Sequence, residues 1–312
     1  MNICFWGVRG SIATPLTNRE LAAKLEEALR IGLQVGLKDD SQVSDFIESL
    51  PWYVRRTAGG DTSCVEIHAG EKILIMDAGT GIRPLGMKLT KESKGRPMEI
   101  NILLSHTHWD HICGIPFFVP AFNPNNTLTI YGPHPELENR LKYQQDFRFF
   151  PVPLASTFKF VQLSTKDHFN IGDVEIRTIP LKHPGGSFGY RITHNDKTIV
   201  YATDSEYKDL SADALKPFID FFHNADLLIY DAQYTMVENV EKEDWGHSNM
   251  FTGIDMALEA GVKKLIFTHH DPTYDDRNLW ELLQKAKEYH KINSTREDFQ
   301  IYLAYEGLSF EV

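Results

Sequence analysis

One short stretch of this chain constrains its fold more than any other. The apolar run 100–104 is followed at once by four side chains that can bind metal, His106, His108, Asp110 and His111. The run predicts a buried strand, and in extended chain His106 and His108 point the same way and can share one ion. A tight turn then brings Asp110 and His111 towards a second ion. The stretch therefore predicts a metal site at the end of a strand.

The chemistry of these side chains narrows the choice of metal. A nitrogen-rich ligand set with a carboxylate suits Zn²⁺, and it also suits Mn²⁺ or Fe²⁺. The alternative, a surface histidine cluster that binds nothing, leaves unexplained why histidine and aspartate recur at later strand ends. We therefore expect two divalent metal ions, with Zn²⁺ as the first choice.

Three later segments carry candidate partners for this stretch. His183, Asp204 and the adjacent pair His269 and His270 each follow an apolar run, where a strand gives way to a loop. Taken singly, His183 is typical of an ordinary loop and Asp204 of a helix cap. Taken together, they place metal-binding side chains at the ends of several predicted strands, which favours one shared metal site.

Composition indicates the class of protein. The 312 residues suffice for one large domain, and we expect a single domain over 1–312. No apolar run is long enough to span a membrane and the first residues lack a charged leader, so we expect a cytoplasmic protein. Cys4, Cys64 and Cys113 lack metal-type spacing and predict buried, reduced thiols. A formal net charge of −11 makes long nucleic acid an unexpected partner, because proteins that bind it neutralise many phosphates.

Strands alternate with loops and helices along the chain. The pattern predicts strands at 2–6, 63–68, 72–77, 99–105, 127–131, 174–180, 189–193, 198–202, 226–230, 264–268 and 299–304. It predicts helices at 135–147, 209–222, 250–261 and 277–291, and a helical insertion at about 17–56 with helices at 21–29 and 43–50. This order favours two sheets packed face to face with helices outside. Periodicity alone does not exclude a doubly wound sheet, but the ligand positions favour the sandwich.

The order of these residues resembles that of the metallo-β-lactamase-fold hydrolases. The resemblance is carried by segments 106–111, 5–11, 59–64 and 77–81 and by His183, Asp204 and His269. It is strongest to the phosphodiesterase branch, which includes ribonuclease Z and cyclic-nucleotide phosphodiesterases. It implies an α/β fold, a four-layer αββα sandwich, with a dinuclear site at one edge.

The resemblance implies a role for each ligand. One metal would be held by three histidines and the other by an aspartate and two histidines, with a second aspartate as the bridge. The three histidines of the first metal would be His106, His108 and His183. The ligands of the second metal would be Asp110, His111 and His269, and the bridging carboxylate would be that of Asp204. His270 stays the rival of His269, which the family pattern favours.

Catalytic roles follow from the same resemblance. Segments 231–234 and 246–248 are similar to the acidic box and the later histidine of ribonuclease Z-like enzymes, in which that histidine assists the leaving group. His247 would take this role, with Asp231 to orient it and Asp110 to orient the nucleophile or receive its proton. Asp77 is expected to fix the histidine loop without binding metal.

Substrate contacts are predicted near the strand at 189–193. Ser187, Phe188 and Tyr190 are the candidate substrate-binding residues, and Trp109 and the pair at 149–150 are further candidate walls for a flat group. For each aromatic residue taken alone, ordinary core packing is the alternative, and the sequence favours it. Only about twenty residues separate the second and third ligand segments, which predicts a short hairpin there. Ribonuclease Z-type enzymes often carry a long tRNA-clamping arm at that place, so this gap argues against tRNA processing.

The function that we expect is hydrolysis of a small anionic phosphodiester, such as a cyclic nucleotide, by attack of a metal-bridging hydroxide. Three alternatives stay open. They are hydrolysis of a carbonyl substrate such as a lactone or thioester, tRNA 3′-processing-type cleavage, and a non-catalytic metal- or nucleotide-binding role. A homodimer is the family-level expectation, with the insertion at 17–56 as the candidate contact.

Overall fold

Two seven-stranded mixed sheets form the centre of the protein in a computed structural model that describes residues 1–312. Their inner faces share one hydrophobic core, to which Phe5 and Leu74 contribute from one sheet and Ile192 and Tyr201 from the other. Helices cover the outer faces. The predicted αββα sandwich is therefore confirmed.

The first sheet contains both termini of the chain. Its strands are β1 (Asn2–Gly7), β2 (Cys64–Ala69), β3 (Lys72–Met76), β4 (Glu99–Leu103), β5 (Thr127–Gly132), β6 (Phe158–Gln162) and β14 (Ser309–Glu311). Their spatial order is β14-β1-β2-β3-β4-β5-β6. Pairing is antiparallel from β14 to β3 and parallel from β3 to β6.

The second sheet follows the same plan. Its strands are β7 (His168–Ile171), β8 (Val174–Leu181), β9 (Ser187–His194), β10 (Lys197–Ala202), β11 (Leu227–Asp231), β12 (Lys264–Thr268) and β13 (Gln300–Leu303). Their order is β13-β12-β11-β10-β9-β8-β7, antiparallel from β7 to β10 and parallel from β10 to β13. Strands β8, β10, β11 and β12 consequently end at one edge of this sheet.

Ten α-helices connect and cover the strands. They are α1 (Asn18–Val35), α2 (Val43–Ser49), α3 (Trp52–Arg55), α4 (Ile82–Ser93), α5 (Trp109–Ile112), α6 (Leu137–Gln144), α7 (Ala212–Phe222), α8 (Met236–Glu241), α9 (Met250–Glu259) and α10 (Asp276–Asn293). Parallel neighbours require crossover connections, and α4, α5 and α6 lie in those of the first sheet and α7, α9 and α10 in those of the second. None of the helices has both the length and the apolar character that a membrane span needs.

The predicted short hairpin is confirmed as β9 and β10. Asn195 and Asp196 form its two-residue turn with φ angles of 49° and 60°. Two successive residues at positive φ are typical of the turn that matches the twist of a hairpin, and Asn and Asp tolerate this conformation. The chain therefore passes from the second to the third ligand segment with no room for an extended arm.

Several elements differ from the sequence-based prediction. Strands β6, β7 and β14 were not predicted, and all three lie at sheet edges, where a short strand with one protected side shows little apolar alternation. Helix α4 was not predicted either. Gly86 lowers its helix propensity, but a Cβ at this position would crowd Phe118 at 2.8 Å, so packing outweighs propensity.

The cysteine prediction holds only in part. Cys64 is buried, whereas Cys4 and Cys113 are partly exposed, and all three are free thiols. The Sγ atom of Cys113 lies 3.7 Å from Thr62 Oγ1 and belongs to none of the ligand groups described below.

The predicted insertion is helical and is tied to the sandwich by polar contacts. Helix α1 starts at a capping box formed by Thr17 and Glu20 and extends well beyond the predicted residues 21–29. Lys24 forms an ion pair of 2.7 Å with the buried Asp276 at the start of α10. The same carboxylate accepts a hydrogen bond from the backbone N–H of Ala58. One buried charge thus anchors the insertion.

Replacing Asp276 by alanine should destabilise the protein by about 3 kcal/mol, because Lys24 and the Ala58 N–H lose their partner in a largely buried place. Urea unfolding followed by circular dichroism measures the loss. The matched control is Asp220→Ala, which removes the exposed ion pair with Lys216 and should cost less than about 0.5 kcal/mol. Equal losses in both variants would contradict this account of the insertion.

Candidate metal centre

The carboxylate of Asp77 organises the loop that carries the histidines. Asp77 follows β3, is fully buried and has a φ of 58°. It accepts hydrogen bonds from the N–H and hydroxyl of Ser105, from Nδ1 of His111 and from the hydroxyl of Tyr201, all at 2.7–2.8 Å. These contacts join β3, the loop after β4 and β10. They agree with the predicted role of Asp77 as a support for the histidine loop.

Three histidines form one group of ligand type. A ring nitrogen from each of His106, His108 and His183 lies within 4.8 Å of the others. Nδ1 of His183 faces the carbonyl oxygen of Gly246 at 2.8 Å and donates to it, so Nε2 presents a lone pair towards Nδ1 of His108, 3.0 Å away. The Nε2 atom of His106 is buried and has no hydrogen-bond partner. The geometry fits three nitrogen donors aimed at one cation.

A second group lies beside the first. It consists of Asp110, His111 and His269, again with ligand atoms within 4.8 Å of one another. Oδ2 of Asp110 lies 3.1 Å from Nε2 of His269 and 3.3 Å from Nε2 of His111. The backbone N–H of Ser11 donates to the same oxygen at 2.8 Å. This group has the donor set that was predicted for the second metal.

Asp204 lies between the two groups. Its carboxylate is 3.9 Å from Nε2 of His106, 3.4 Å from Nε2 of His111 and 3.2 Å from Nε2 of His269. Its Oδ2 atom is buried without a hydrogen-bond partner. The residue lies two positions after the end of β10 and has a φ of 60°, a backbone conformation that is uncommon for a non-glycine residue. A carboxylate in this position can reach both groups.

His269 and His270 point in opposite directions. His269 is in the cluster, whereas Nε2 of His270 donates to the carbonyl oxygen of Ala304 at 2.9 Å. His269 therefore lies with the other candidate ligands, whereas the side chain of His270 points away from them.

Asp231 and His247 lie next to the ligand groups. Oδ2 of Asp231 is 2.9 Å from Nδ1 of His247, and both residues are buried. The ring of His247 is 5.1 Å from that of His183 and 5.1 Å from that of His269. His247 also completes two further groups with ligand spacing, one with His183 and Asp204 and one with Asp231 and His269. The predicted catalytic pair is thus in place beside the candidate metal ligands.

The charges of the centre are strongly coupled. Burial and the other histidines hold the pKa of His106 well below its usual value. Burial alone would raise the pKa of Asp110, but His111 and His269 outweigh it and hold this pKa low. Burial would likewise lower the pKa of His269, yet Asp204 and Asp110 raise it to about 9. The centre therefore attracts positive charge, which a divalent cation would supply.

The predicted substrate contacts of β9 require a correction. Ser187 and Tyr190 are buried, and Phe188 is only 7% exposed. Ser187 donates to the Thr203 carbonyl at 3.4 Å, and Tyr190 donates to the Leu104 carbonyl at 2.7 Å. These side chains fill the core beneath the centre and cannot line a cleft for substrate.

Two other residues, Trp109 and Arg140, are placed near the histidine loop where they could contact a substrate. Trp109 is 81% exposed in the histidine loop, as its prediction as a wall requires. Arg140 of α6 was not singled out from the sequence. Its guanidinium donates a hydrogen bond of 2.9 Å to the hydroxyl of Thr107, the residue between the candidate ligands His106 and His108. No local pattern points to Arg140, because α6 lies about thirty residues beyond the loop.

Gly246 is another contributor that sequence reasoning missed. Its carbonyl oxygen fixes the ring of His183, and its φ is 86°. A Cβ atom at Gly246 would collide with that ring. A signal was present, since this glycine directly precedes His247 in the predicted motif.

Comparison with known proteins agrees with this architecture. A family model described as the beta-lactamase superfamily domain matches residues 72–270, which is more than half of the chain. Among curated proteins, ribonuclease BN of Escherichia coli O81 (strain ED1a) is 24% identical over 250 residues. The match covers 64% of this chain and 80% of that protein.

Two solved structures have similar folds. The metallo-beta-lactamase fold protein YhfI from Bacillus subtilis has a TM-score of 0.65 and 21% identity, and the match covers 100% of this chain and 99% of that one. The short form of human tRNase Z (ELAC1) has a TM-score of 0.62 and 16% identity, with the same coverage of both chains. At these identities the likeness shows the fold alone.

Cation binding should release protons below pH 9. In the cation-free protein His269 has a pKa of about 9 and is therefore protonated below that pH, so a cation that binds its Nε2 must displace the proton. Cation affinity should fall as the pH falls, because this proton competes with the cation for the same nitrogen. Calorimetric titration with Zn²⁺ in two buffers of different ionisation enthalpy measures it. Equal heats in both buffers at pH 7.5 would contradict the prediction.

Proposed function

This chain belongs to the beta-lactamase superfamily, and on that premise we propose that it is a metal-dependent hydrolase that cleaves a small phosphodiester. One observation carries the proposal. The seven predicted ligand side chains come together in contiguous groups, and the buried pair of Asp231 and His247 lies directly beside them. The proposed ligands are His106, His108, Asp110, His111, His183, Asp204 and His269.

The residues fit a pair of divalent cations. His106 Nε2 and Asp204 Oδ2 are buried polar atoms without a partner, and such atoms are costly unless something binds them. Nitrogen donors with two carboxylates suit Zn²⁺, which we propose as the metal, with Mn²⁺ or Fe²⁺ as alternatives. Bound there, such ions would lower the pKa of a water molecule and offset negative charge on phosphoryl oxygens.

Two protein groups would handle protons around the substrate. Asp110 accepts a hydrogen bond from the Ser11 N–H and keeps a low pKa, so its carboxylate can orient a water molecule at the centre. Asp231 holds Nδ1 of His247, which leaves Nε2 of that ring to donate a proton to the departing alkoxide. Phosphodiester cleavage needs such a donor because its leaving group is a poor one.

Substrate recognition would involve exposed groups at the edge of the centre. Trp109 offers a flat face that can stack on a nucleobase, an interaction worth about 1–3 kcal/mol. Arg140 keeps most of its guanidinium donors free after its bond to Thr107. An arginine in this place can bind an anionic oxygen of the substrate in a protein whose net charge is −11. A nucleotide phosphodiester, such as a cyclic nucleotide, has both groups.

Ribonuclease activity is the second candidate, because ribonuclease BN is a curated relative and tRNase Z has a similar fold. Two observations argue against ribonuclease activity. The net charge of the chain is acidic, and β9 and β10 are joined by a two-residue turn at the place where a long arm would be required to clamp tRNA. Hydrolysis of a lactone or thioester uses the same cations. The pair of Asp231 and His247 favours the phosphodiester, since acyl transfer from an activated carbonyl has less need of a proton donor.

The test is a substrate panel with the metal-loaded full chain. The panel contains bis-p-nitrophenyl phosphate, 2′,3′- and 3′,5′-cyclic nucleotides, a tRNA precursor, a lactone and a thioester. We expect turnover of bis-p-nitrophenyl phosphate and at least one cyclic nucleotide, and loss of turnover with a chelator or with Asp110→Ala. Faster turnover of the lactone or thioester, or cleavage of the tRNA precursor alone, would overturn the proposal.

Replacing His247 by alanine should lower kcat for a cyclic nucleotide about 100-fold or more while the bound metal stays the same, because only the proton donor is lost. The decrease should be smaller for bis-p-nitrophenyl phosphate, whose leaving group needs little protonation. His194→Ala is the matched control, since His194 forms a similar pair of 3.0 Å with Asp173 away from the centre. Loss of metal in His247→Ala would contradict the assigned role.

Replacing Arg140 by alanine should raise KM for bis-p-nitrophenyl phosphate about tenfold with little change in kcat, because binding and not chemistry is weakened. Steady-state kinetics at constant metal loading measures both constants. Arg177→Ala serves as the control, because the guanidinium of Arg177 is paired with Glu175 on β8. An unchanged KM in Arg140→Ala would remove Arg140 from the site.

A further inference from the structure

A cleft of about 550 Å³ opens directly beside the candidate centre. This volume lies within the range of roughly 300–1,000 Å³ that is typical of small-molecule sites. His183 lines the cleft, and so does Asp244, which lies two residues before the Gly246 whose carbonyl oxygen fixes the His183 ring. We call it the His183 cleft. Because a proposed metal ligand forms part of its wall, a molecule bound in the cleft can reach the centre.

The walls of the His183 cleft are partly apolar. Leu215 and Phe218 of α7 contribute to the lining, together with Tyr207 from the segment after β10. The rings of Tyr207 and Phe218 pack edge to face with their centroids 5.0 Å apart, so each ring holds the other in place. Walls of this kind suit a flat aromatic group, because such a group loses little entropy when it packs against them.

The charges of the lining favour an uncharged occupant. The lining contains two lysines, Lys182 and Lys208, and three carboxylates, those of Glu206, Asp209 and Asp244. Lys208 is already paired with Asp244. The excess of carboxylates disfavours a second phosphate group and favours a group that offers N–H donors. A nucleobase is flat, uncharged and rich in such donors.

Glu206 supplies a fixed hydrogen-bond acceptor in this lining. Its Oε1 atom accepts a hydrogen bond of 3.1 Å from the backbone N–H of Asp244, and its own backbone N–H donates to the carbonyl oxygen of Lys182 at 2.7 Å. The residue is only 7% exposed. Its Oε2 atom has no hydrogen-bond partner within the protein. Since a carboxylate accepts hydrogen bonds and cannot donate them, Oε2 selects for a donor.

The chemistry of ring opening places a nucleoside on this side of the centre. When a cyclic nucleotide is hydrolysed, the oxygen of water bonds to phosphorus and one ester P–O bond breaks. The departing sugar oxygen takes a proton from Nε2 of His247, and the proton that the water loses restores the ring by way of the solvent. The nucleoside carries the departing oxygen, so it must lie close to His247. The rings of His247 and His183 are 5.1 Å apart, which brings the His183 cleft next to the proton donor.

We propose that the His183 cleft binds the nucleobase of a cyclic nucleotide and that Glu206 selects bases that carry an amino group. This inference rests on the proposed phosphodiesterase function. Adenine, cytosine and guanine each have an exocyclic amino group that can donate to Oε2, whereas uracil has carbonyl oxygens, which a carboxylate repels. Trp109 adds no such selectivity, because an aromatic face stacks on every base.

A neighbouring cleft is the competing place for a base. It has a volume of about 480 Å³ and shares Glu206, Tyr207 and Lys208 with the His183 cleft. None of the seven candidate ligands lines it. The His183 cleft is therefore the one of the two that adjoins the centre.

The test compares 3′,5′-cyclic CMP with 3′,5′-cyclic UMP, whose bases differ in the amino group, by steady-state kinetics with the metal-loaded full chain. The wild type should prefer cyclic CMP in kcat/KM by about 100-fold or more. Glu206→Gln should remove most of this preference, because the amide nitrogen can donate to the uracil carbonyl. A ratio of two substrates is unaffected by a general loss of active protein. The matched control Glu243→Gln removes an exposed carboxylate near Lys208 and should keep the preference.

Binding without turnover separates this inference from the proposed function. Calorimetric titration of the wild type should show that 5′-CMP binds at least about tenfold more tightly than 5′-UMP. If this preference is present in a protein that hydrolyses no phosphodiester, the cleft is supported and the proposed hydrolase is wrong. Equal binding and equal turnover of the two nucleotides, a preference that survives Glu206→Gln, or a preference lost in Trp109→Ala instead would overturn the inference, while turnover of bis-p-nitrophenyl phosphate would still support the hydrolase.

Discussion

The buried carboxylate of Asp77 is the interaction on which the candidate centre depends. It accepts hydrogen bonds from Ser105 and His111, which follow β4 of the first sheet, and from Tyr201 on β10 of the second sheet. A buried carboxylate is costly unless its oxygens are satisfied, so the contacts fix how the histidine loop lies on β10. The hydrogen bond from Nδ1 of His111 to Asp77 sets the tautomer of His111, so that its Nε2 atom faces the candidate centre. Asp77 therefore stabilises both the contact between the two sheets and the geometry of the candidate centre.

Strand topology explains why distant residues meet. The loops after β4, β8, β10, β11 and β12 all lie at one edge of the sandwich, and each carries at least one member of the centre. In α/β folds, ligands bind beyond the carboxyl ends of the strands for this reason. Positive φ angles at Asp77, Asp204 and His269 turn these side chains inward as each strand ends. Such strained positions are typical of functional sites.

Local periodicity was sufficient to predict the central strands, and the family resemblance added the αββα sandwich, which is confirmed. The seven candidate ligands lie together in the structure, and their binding of metal stays a prediction. Local periodicity was not sufficient for the edge strands β6, β7 and β14, whose pattern is weak, or for α4, where Gly86 serves packing. Ser187 and Tyr190 were misjudged because a polar tip on a core residue resembles a substrate contact when burial is unknown. Arg140 was missed because only tertiary packing brings α6 to the histidine loop.

The central claim is that these residues gather two cations, and their number can be measured directly. Elemental analysis of the full chain, purified without added metal or chelator and then dialysed against Zn²⁺, counts the ions that stay bound. The account predicts about two ions per chain in the wild type and a marked loss in Asp77→Asn, whose amide is a weaker acceptor for His111. A wild type that retains no divalent ion after this treatment would contradict it.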